Sequence, residues 1–255
     1  MDANTTKIAV ITGAGRGIGR SMALHLAAAG VDVVGTYRTD RDGAAAVARE
    51  VEARGRRAAM LPLDVGQSDT FAAFADALRG ALGDTFGRPT FDFLVNNAGH
   101  GVYAAVADTT EAQFDELVAV HLKAPLFLTQ RLLPLMADGG RVLNVSTGLA
   151  RFTLPGYGAY AAAKGGVEVL TRYLARELGG RRIAANVIAP GAIETDFAGG
   201  AVRDVPALNQ HVAAATALGR AGLPDDVGGA VAALLSDGMA WMNGARVELS
   251  GGQNL

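Results

Sequence analysis

The sequence predicts one doubly wound α/β domain, in which helices cover both faces of a parallel sheet. Short apolar runs that suit strands alternate with longer stretches of helical periodicity along the 255 residues. These apolar runs show little polar–apolar alternation, as expected for strands that are buried on both faces. Strand–helix alternation of this kind implies right-handed crossovers between parallel strands.

Six apolar runs are predicted as strands, and the stretches between them as helices. No Pro- or Ser-rich linker and no charge block divides the chain, so residues 1–255 are expected to form a single domain. The predicted strands are residues 7–12, 31–37, 58–63, 91–96, 141–145 and 183–188. The predicted helices cover residues 17–29, 42–54, 69–82, 111–135 and 157–178.

The composition excludes several classes of protein. The chain has no cysteine, which rules out disulfides, thiolate catalysis and cysteine–zinc sites. The formal net charge is -2, which gives no basic footprint for nucleic acid. No signal peptide pattern or run of about 18 apolar residues is present. We therefore expect a cytoplasmic protein with no nucleic-acid or membrane partner, and, without a His/Asp/Glu cluster of metal-ligand spacing, no bound metal.

The first predicted strand ends in a glycine-rich turn, Thr12-Gly13-Ala14-Gly15-Arg16-Gly17-Ile18-Gly19. Glycines allow the backbone to turn tightly and approach a pyrophosphate. The helix that follows directs its N–H groups and the positive end of its dipole at that anion. A plain tight turn is the alternative interpretation. The position between a first strand and an amphipathic helix favours a dinucleotide site of the Rossmann type.

The end of the second strand indicates which dinucleotide is bound. Folds that bind NAD carry an acidic residue about 20 residues after the glycines, where it pairs with the ribose hydroxyls. Here the strand ends in Gly35-Thr36-Tyr37-Arg38, without a carboxylate. Arg38 and Arg16 would both suit a 2′-phosphate, so we expect NADP(H) in preference to NAD(H). The alternative is that Arg38 is only a surface residue.

The start of the 157–178 stretch carries Tyr160 and Lys164, which lie one helical turn apart. An ammonium group beside a phenol stabilises the phenolate and lowers the phenol pKa. Tyr160 could then donate a proton to a carbonyl oxygen as hydride arrives, or accept one in the reverse reaction. An aromatic core residue beside a solvated lysine is the alternative. Tyr157, seven residues before Lys164, is a second candidate partner for the lysine.

Five motifs follow one another along the chain, namely residues 12–19, Asp64-Val65, Asn96-Asn97-Ala98-Gly99, Tyr160 with Lys164, and Pro190-Gly191. Their order and spacing resemble those of the short-chain dehydrogenase/reductase superfamily, over residues 7–252. The chain is most similar to the ketoacyl-carrier-protein reductases and the sugar or alcohol dehydrogenases. Some enoyl reductases of that superfamily pair the lysine with a tyrosine seven residues earlier, but they usually have a different glycine turn. Tyr157 is therefore interpreted as a substrate-side or packing residue.

The resemblance implies a role for each motif. Asp64 would bind the adenine amino group, and Ile193 and Thr195 would hold the nicotinamide carboxamide. Lys164 would also bind the nicotinamide ribose. The resemblance further implies a small-molecule carbonyl or alcohol substrate, a homotetramer, and a polar, flexible substrate lid near residues 196–216. The residues expected to bind the cofactor are Thr12, Gly13, Gly15, Arg16, Gly17, Ile18, Gly19, Arg38, Asp64, Val65, Asn96, Ala98, Gly99, Tyr160, Lys164, Pro190, Gly191, Ile193 and Thr195.

Two positions depart from the pattern of the superfamily. Thr147 stands where relatives usually carry a serine that holds the substrate oxygen, and Ser146 before it should point to the opposite side of the strand. His121 stands where an asparagine usually anchors a water in the proton relay to the lysine. Both side chains keep hydrogen-bonding capacity, so we expect Tyr160, Lys164, Thr147 and His121 to be catalytic. Packing for Thr147 and a structural role for His121 are the alternatives.

These departures leave two alternative functions open beside carbonyl–alcohol interconversion. One is a non-catalytic dinucleotide-binding module such as a redox sensor, and the other is reduction of a conjugated double bond through Tyr157. His100, Arg151 and Phe152 could border the substrate pocket, or could be incidental loop and surface residues.

Overall fold

A computed structural model describes residues 6–255 and contains one seven-stranded parallel sheet. The strand order is β3-β2-β1-β4-β5-β6-β7, and every neighbouring pair is parallel. The predicted doubly wound α/β class is therefore confirmed. The strands are β1 (Ile8–Ile11), β2 (Asp32–Tyr37), β3 (Ala58–Pro62), β4 (Phe91–Asn96), β5 (Met136–Val145), β6 (Ala184–Pro190) and β7 (Arg246–Leu249).

The helices follow the predicted pattern, with one main correction. The stretch over residues 111–135 is not a single helix, because a π-helical turn at Ala119–Lys123 separates two α-helices. Turns of this kind insert an extra residue into a helix and occur often at functional sites. The α-helices are α1 (Gly17–Ala28), α2 (Arg41–Glu52), α3 (Phe71–Phe86), α4 (Glu111–Val118), α5 (Ala124–Leu132), α6 (Gly158–Glu177), α7 (Ala201–Asp204), α8 (Pro206–Ala214) and α9 (Pro224–Leu234).

The edge strand β7 and helix α9 were not among the predicted elements. β7 has only four residues, and its sequence Arg-Val-Glu-Leu alternates charged and apolar side chains that are all half-buried. An edge strand has a neighbour on one side only, so it lacks the continuous apolar run that identifies the central strands. α9 packs closely on α1 and covers the same face of the sheet.

The apolar core lies in two layers, one on each face of the sheet. Successive residues of β1 point to opposite faces, so Ile8 and Val10 enter one layer while Ala9 and Ile11 enter the other. The first layer is completed by α3, α5 and α6, and the second by α1, α2 and α9. Because both faces are covered, all four side chains of β1 are completely buried.

A buried polar ladder attaches α6 and α5 to the centre of the sheet. Asn144 of β5 is fully buried, accepts a hydrogen bond from Asn96 Nδ2 at 2.8 Å and donates one to Thr171 Oγ1 at 2.9 Å. Asn96 Nδ2 also donates to Thr129 Oγ1 of α5 at 3.1 Å. Polar groups buried this deeply favour one alignment, because any shift would leave them without partners. The ladder therefore fixes α6 against β5 at Thr171, two helical turns after Lys164.

The sheet has its topological switch point between β1 and β4. The chain winds from β1 outward to β2 and β3, then returns to β4 and winds the other way. Ligands of open α/β sheets bind in the crevice at the carboxyl ends of the strands beside such a point. Within residues 6–255, no helix is long and apolar enough to cross a membrane.

Candidate active site

The glycine turn after β1 brings two stretches of backbone unusually close. Gly13 has a φ of +68°, and a Cβ there would lie 3.1 Å from Ala98 Cα. A Cβ on Gly19 would lie 2.1 Å from the Gly13 carbonyl oxygen, which no side chain can tolerate. Glycine is therefore required at both positions. The result is a tight turn that opens α1 at Gly17, where free N–H groups begin.

Thr12 and Asn97 lock this turn to the end of β4. Thr12 Oγ1 accepts hydrogen bonds from the backbone N–H groups of Asn97 and Ala98, both at 2.9 Å. Asn97 Nδ2 donates to the Thr12 carbonyl oxygen at 2.9 Å. Asn97 was noted in the sequence only as part of its motif, and its locking role depends on a partner 85 residues away.

The turn is also attached to β2, next to Arg38. The Ala14 N–H donates to the Thr36 carbonyl oxygen at 2.9 Å, and the Gly13 N–H donates to Thr36 Oγ1 at 3.1 Å. Arg38 follows two residues later and is exposed. Arg38 therefore lies two residues from the point at which β2 is hydrogen-bonded to the glycine turn. Arg16 is exposed as well, with its Nη1 3.6 Å from Asp196 Oδ2.

The remaining residues predicted to bind a cofactor lie along the same edge of the sheet. Asp64 caps its own turn, accepting from the Gly66 N–H at 2.9 Å. A Cβ on Gly17 would lie 3.6 Å from Thr195 Cβ, which is van der Waals contact. The segment after β6 therefore packs against the glycine turn. Asn96 is the exception, since its side chain enters the buried ladder. A common cleft is lined by Thr12, Val65, Asn96, Ala98, His121 and Lys164, among others.

The segment after β6 is held in place by the C-terminal residues. The Gly191 N–H donates to the Leu249 carbonyl oxygen at 3.0 Å, and the Ala192 N–H donates to Gln253 Oε1 at 2.9 Å. Ile193 is buried and forms a parallel bridge with Gly222. Residues 196–216, the stretch expected to form a substrate lid, follow and contain α7 and α8.

The first turns of α6 place Tyr160 and Lys164 on one buried face, as their spacing predicted. Tyr160 is 7% exposed and Lys164 5% exposed. Lys164 Nζ donates to the Val145 carbonyl oxygen at 2.6 Å and lies 5.8 Å from the centre of the Tyr160 ring. Tyr157 precedes the first residue of α6 and is only half-buried. Tyr160, and not Tyr157, is thus the tyrosine that shares an environment with the lysine.

The pKa of Tyr160 shifts in the direction opposite to the sequence expectation. Burial raises the pKa of the phenol well above its usual value, and a hydrogen bond with Thr147 opposes that rise only in part. Burial also lowers the pKa of Lys164 to about 7. Desolvation penalises the charged form of both groups, so the apolar surroundings outweigh the mutual stabilisation that helical spacing alone suggested. Near neutral pH the phenol therefore keeps its proton.

Thr147 and Ser146, which directly follow β5, have different hydrogen-bond partners on α6. Thr147 is nearly buried beside Tyr160, and its Oγ1 accepts a hydrogen bond from the Leu149 N–H at 3.3 Å. Ser146 Oγ instead donates to Glu168 Oε1 at 2.6 Å, beneath α6. Thr147 therefore supplies the hydroxyl beside the phenol.

His121 lies in the π-helical turn and contacts α6. Its ring is 1% exposed and packs edge-on against Tyr160 at 5.0 Å between centroids. Burial, aided by the nearby Lys164 charge, lowers the pKa of His121 to about 2, so the ring is neutral. Its Nε2 lies 2.7 Å from the His100 carbonyl oxygen, which can only accept, so Nε2 carries the proton. A Cβ on Gly99 would lie 2.6 Å from His121 Cε1, so glycine makes room for the ring.

Two of the residues considered for the pocket border have structural partners. Arg151 forms an ion pair with Glu248 at 2.6 Å and donates to the Gln253 carbonyl oxygen at 2.7 Å. His100 Nε2 lies 3.1 Å from Glu116 Oε1 on α4. Over the described range 6–255, no group of three or more His, Cys, Asp or Glu residues is arranged to hold a metal ion.

Comparison with known proteins identifies the family. A family model described as "Enoyl-(Acyl carrier protein) reductase" matches residues 13–254. A short-chain type dehydrogenase/reductase of Picea abies is 34% identical over 259 residues, covering 97% of this chain and 92% of that protein. The chain belongs to the short-chain dehydrogenase/reductase superfamily. It is therefore an oxidoreductase, and the family assignment made from its motifs is confirmed.

Two further relatives of this short-chain dehydrogenase/reductase are named as carbonyl reductases. The 3-oxoacyl-[acyl-carrier-protein] reductase of Pseudomonas aeruginosa is 35% identical over 249 residues, covering 96% of each chain. The crystal structure of the angucycline C-6 ketoreductase LanV with bound NADP is 36% identical, with a TM-score of 0.93. That match covers 98% of this chain and 97% of the other.

The buried Lys164 should leave a signature in the pH dependence of stability. Its pKa is about 7 in the folded chain and 10.5 in an ordinary lysine. Between these values the unfolded chain binds a proton that the folded chain does not, so stability should rise with pH. We expect the free energy of unfolding of the wild type, relative to Lys164→Met, to rise from pH 7 to pH 10 in urea titrations.

Lys123→Met, at an exposed lysine, is the matched control. The free energy of unfolding of the wild type relative to Lys123→Met should not show a comparable rise between pH 7 and pH 10. A difference between the wild type and Lys164→Met that stays constant across this range would contradict the low pKa.

Proposed function

We propose that this short-chain dehydrogenase/reductase is an NADP(H)-dependent enzyme that interconverts a ketone or aldehyde and an alcohol, with Tyr160 as general acid and base. One observation carries the proposal, namely that a buried Tyr160 lies between the Thr147 hydroxyl and Lys164 at the carboxyl edge of the sheet. The names of two relatives, a 3-oxoacyl reductase and a C-6 ketoreductase, support carbonyl reduction.

Tyr160 is suited to protonate the carbonyl oxygen during reduction. The nicotinamide, when bound, supplies the hydride to the carbonyl carbon. Because burial raises the pKa of Tyr160, its phenol is protonated at neutral pH and can donate to the oxygen on which negative charge develops. An alkoxide is a far stronger base than a phenolate, so this transfer is favourable. Thr147 beside the phenol donates a second hydrogen bond to the same oxygen and orients it.

Lys164 and His121 contribute through Tyr160, one by its charge and the other by its packing. A neighbouring ammonium stabilises the phenolate that remains after proton transfer, and a Lys164 pKa of about 7 allows the lysine to gain or lose a proton near neutral pH. The neutral His121 ring fixes the edge of the Tyr160 ring, and its Nε2 is committed to the His100 carbonyl oxygen. We assign His121 a positioning role, and its Nδ1 is buried without a hydrogen-bond partner among the described residues.

The residues around the glycine turn fit NADP(H). The close approach of Gly13, Gly19 and Ala98 leaves bare backbone at the start of α1, where a pyrophosphate would accept hydrogen bonds from free N–H groups. Arg38 is exposed beside this turn and would pair with the 2′-phosphate. Arg16 would pair with the same phosphate once its ion pair with Asp196 is broken. The related ketoreductase LanV was crystallised with NADP, which supports this choice over NAD.

Reduction of a conjugated double bond is a second candidate, because the matching family model carries an enoyl reductase description. It would use Tyr157 with Lys164. The half-buried Tyr157 packs instead against Tyr103, with 5.6 Å between ring centroids, and Tyr160 occupies the lysine environment. These contacts favour the carbonyl reaction. A non-catalytic redox sensor would bind NADPH without turnover.

Tyr160→Phe removes the proton donor and keeps the ring. We expect kcat/KM for ketone reduction to fall by about 10²- to 10⁴-fold, while the Kd for NADPH stays within about twofold. NADPH absorbance against a ketone panel and NADPH fluorescence titration measure the two quantities. Tyr157→Phe is the matched control and should keep most of the activity.

A loss of activity in Tyr157→Phe with Tyr160→Phe unaffected would favour the enoyl reaction and overturn the assignment of Tyr160. NADPH binding by the wild type with no turnover of any ketone or enoyl compound would favour the sensor.

Arg38→Ala tests the preference for the phosphorylated dinucleotide. A charge-assisted contact with the 2′-phosphate should be lost, so the Kd for NADPH should rise roughly 10- to 100-fold while the Kd for NADH stays unchanged. Calorimetric titration with both dinucleotides measures this. Arg49→Ala, at an exposed arginine of α2, is the control and should bind both dinucleotides as the wild type does. Equal losses for NADPH and NADH would contradict the role of Arg38.

A further inference from the structure

A row of aromatic rings runs from the surface to Tyr160. The row consists of Tyr103, Tyr157, Tyr160 and Phe197, which we call the aromatic row. Centroid distances are 5.6 Å for Tyr103–Tyr157, 6.3 Å for Tyr157–Tyr160 and 5.7 Å for Tyr160–Phe197. The ring planes are tilted by 55° to 75° between neighbours, a geometry that aromatic pairs prefer.

The outer members of the aromatic row are open to solvent. Tyr103 and Phe197, at the two ends of the row, are 72% and 39% exposed, whereas Tyr160 between Tyr157 and Phe197 is buried. Leu154 and Val106, from the same two loops as Tyr157 and Tyr103, are exposed as well. Large apolar side chains that gather at the mouth of a site, outside the core, mark a surface that a ligand covers.

Glycines leave room for two of these rings to pack closely against the backbone. Gly156 has a φ of +87°, and a Cβ there would lie 2.3 Å from Tyr103 Cε2. A Cβ on Gly101 would lie 2.5 Å from Phe197 Cζ. The Ala104 N–H donates to the Gly156 carbonyl oxygen at 2.9 Å, which joins the loop of Tyr103 to the loop of Tyr157. The rings are thus preorganised, which reduces the entropy lost when a ligand binds.

The segments that carry the aromatic row contain no charged residue. Residues 101–107, 152–163 and 197–202 lack Asp, Glu, Lys and Arg altogether, and Thr153 is their only non-aromatic polar side chain. The flanking arginines are engaged elsewhere, Arg151 with Glu248 and Arg203 with Asp196 and Asp204. A carboxylate or phosphate ligand would find no partner in these segments, and a sugar would leave most of its hydroxyls unpaired.

We propose that the substrate is a neutral ketone on a fused-ring aromatic skeleton, whose rings lie against Tyr103, Tyr157 and Phe197 while its carbonyl reaches Tyr160 and Thr147. This inference rests on the proposed function for the reaction, but the aromatic row itself selects the skeleton. Flat rings gain stacking and edge contacts with these side chains that an alkyl chain or a saturated ring cannot match. The phenol hydroxyls of Tyr103 and Tyr157 can bind ring hydroxyl groups.

A matched pair of ketones isolates the aromatic contribution. 2-Tetralone and 2-decalone share a bicyclic skeleton, and the carbonyl of neither is conjugated with a ring, so their main difference is one aromatic ring. We expect kcat/KM with NADPH to be about tenfold higher for 2-tetralone. In Tyr103→Leu the ratio should fall about fivefold, since the leucine keeps apolar area but removes the ring. Tyr103→Phe should keep the ratio.

Tyr173→Leu is the matched control, because Tyr173 is a similarly exposed tyrosine (63%) on the far part of α6. It should leave the ratio unchanged. Equal kcat/KM for the two ketones, or a ratio that Tyr103→Leu does not alter, would overturn the proposed skeleton. If Tyr160→Phe still abolishes turnover in that case, the proposed reaction stands without it.

A binding measurement tests the skeleton without any turnover. In the presence of NADPH, which cannot accept a hydride from an alcohol, 2-naphthol should bind at least about fivefold more tightly than decahydro-2-naphthol by calorimetry, and Tyr103→Leu should remove this difference. That result in a chain that reduces neither ketone would support the aromatic row while the proposed reaction fails. Equal affinities for the two alcohols would overturn the aromatic row as the binding surface.

Discussion

The packing of α6 against β5 is the constraint on which the active site depends. It buries Tyr160 and Lys164 together, with Lys164 Nζ held 2.6 Å from the Val145 carbonyl oxygen. The contact is fixed by the ladder of Asn96, Asn144 and Thr171, in which each amide or hydroxyl has a partner only in this alignment. Because both titratable groups are desolvated, each is shifted toward its neutral form. The chemistry of the site therefore follows from helix packing as much as from residue identity.

The same burial explains how the chain can tolerate its two departures from the pattern of the superfamily. Thr147 keeps a hydroxyl on the Tyr160 side of β5, while Ser146 is directed to Glu168. His121 brings a larger ring into the π-helical turn, and Gly99 gives it space. The histidine is neutral, so its ring adds no positive charge beside Lys164 that would disfavour the ammonium form of the lysine. Both substitutions preserve hydrogen-bonding groups around the phenol.

Most of the fold could be predicted from the sequence, because buried parallel strands give uninterrupted apolar runs. β7 could not, since a half-buried edge strand with Arg246 and Glu248 carries no such run. The π-helical turn was missed because the periodicity of 111–135 changes by a single residue. At the site, spacing placed Tyr160 and Lys164 on one face, but the direction of their pKa shifts depends on what covers that face. Tyr103 and Phe197 belong to loops far apart in sequence, so their contact with the site appears only in three dimensions.

The central claim is that burial keeps Tyr160 protonated as the acid of the reaction, and an NMR titration of the tyrosine Cζ carbons tests it most directly. The chain has five tyrosines, and Tyr160→Phe assigns the resonance in question. Burial predicts that this resonance titrates above the ordinary tyrosine pKa of 10.0. A Tyr160 resonance that titrates at or below 10.0 would show that Lys164 stabilises the phenolate in the free chain. It would contradict the dominance of burial on which this account is built.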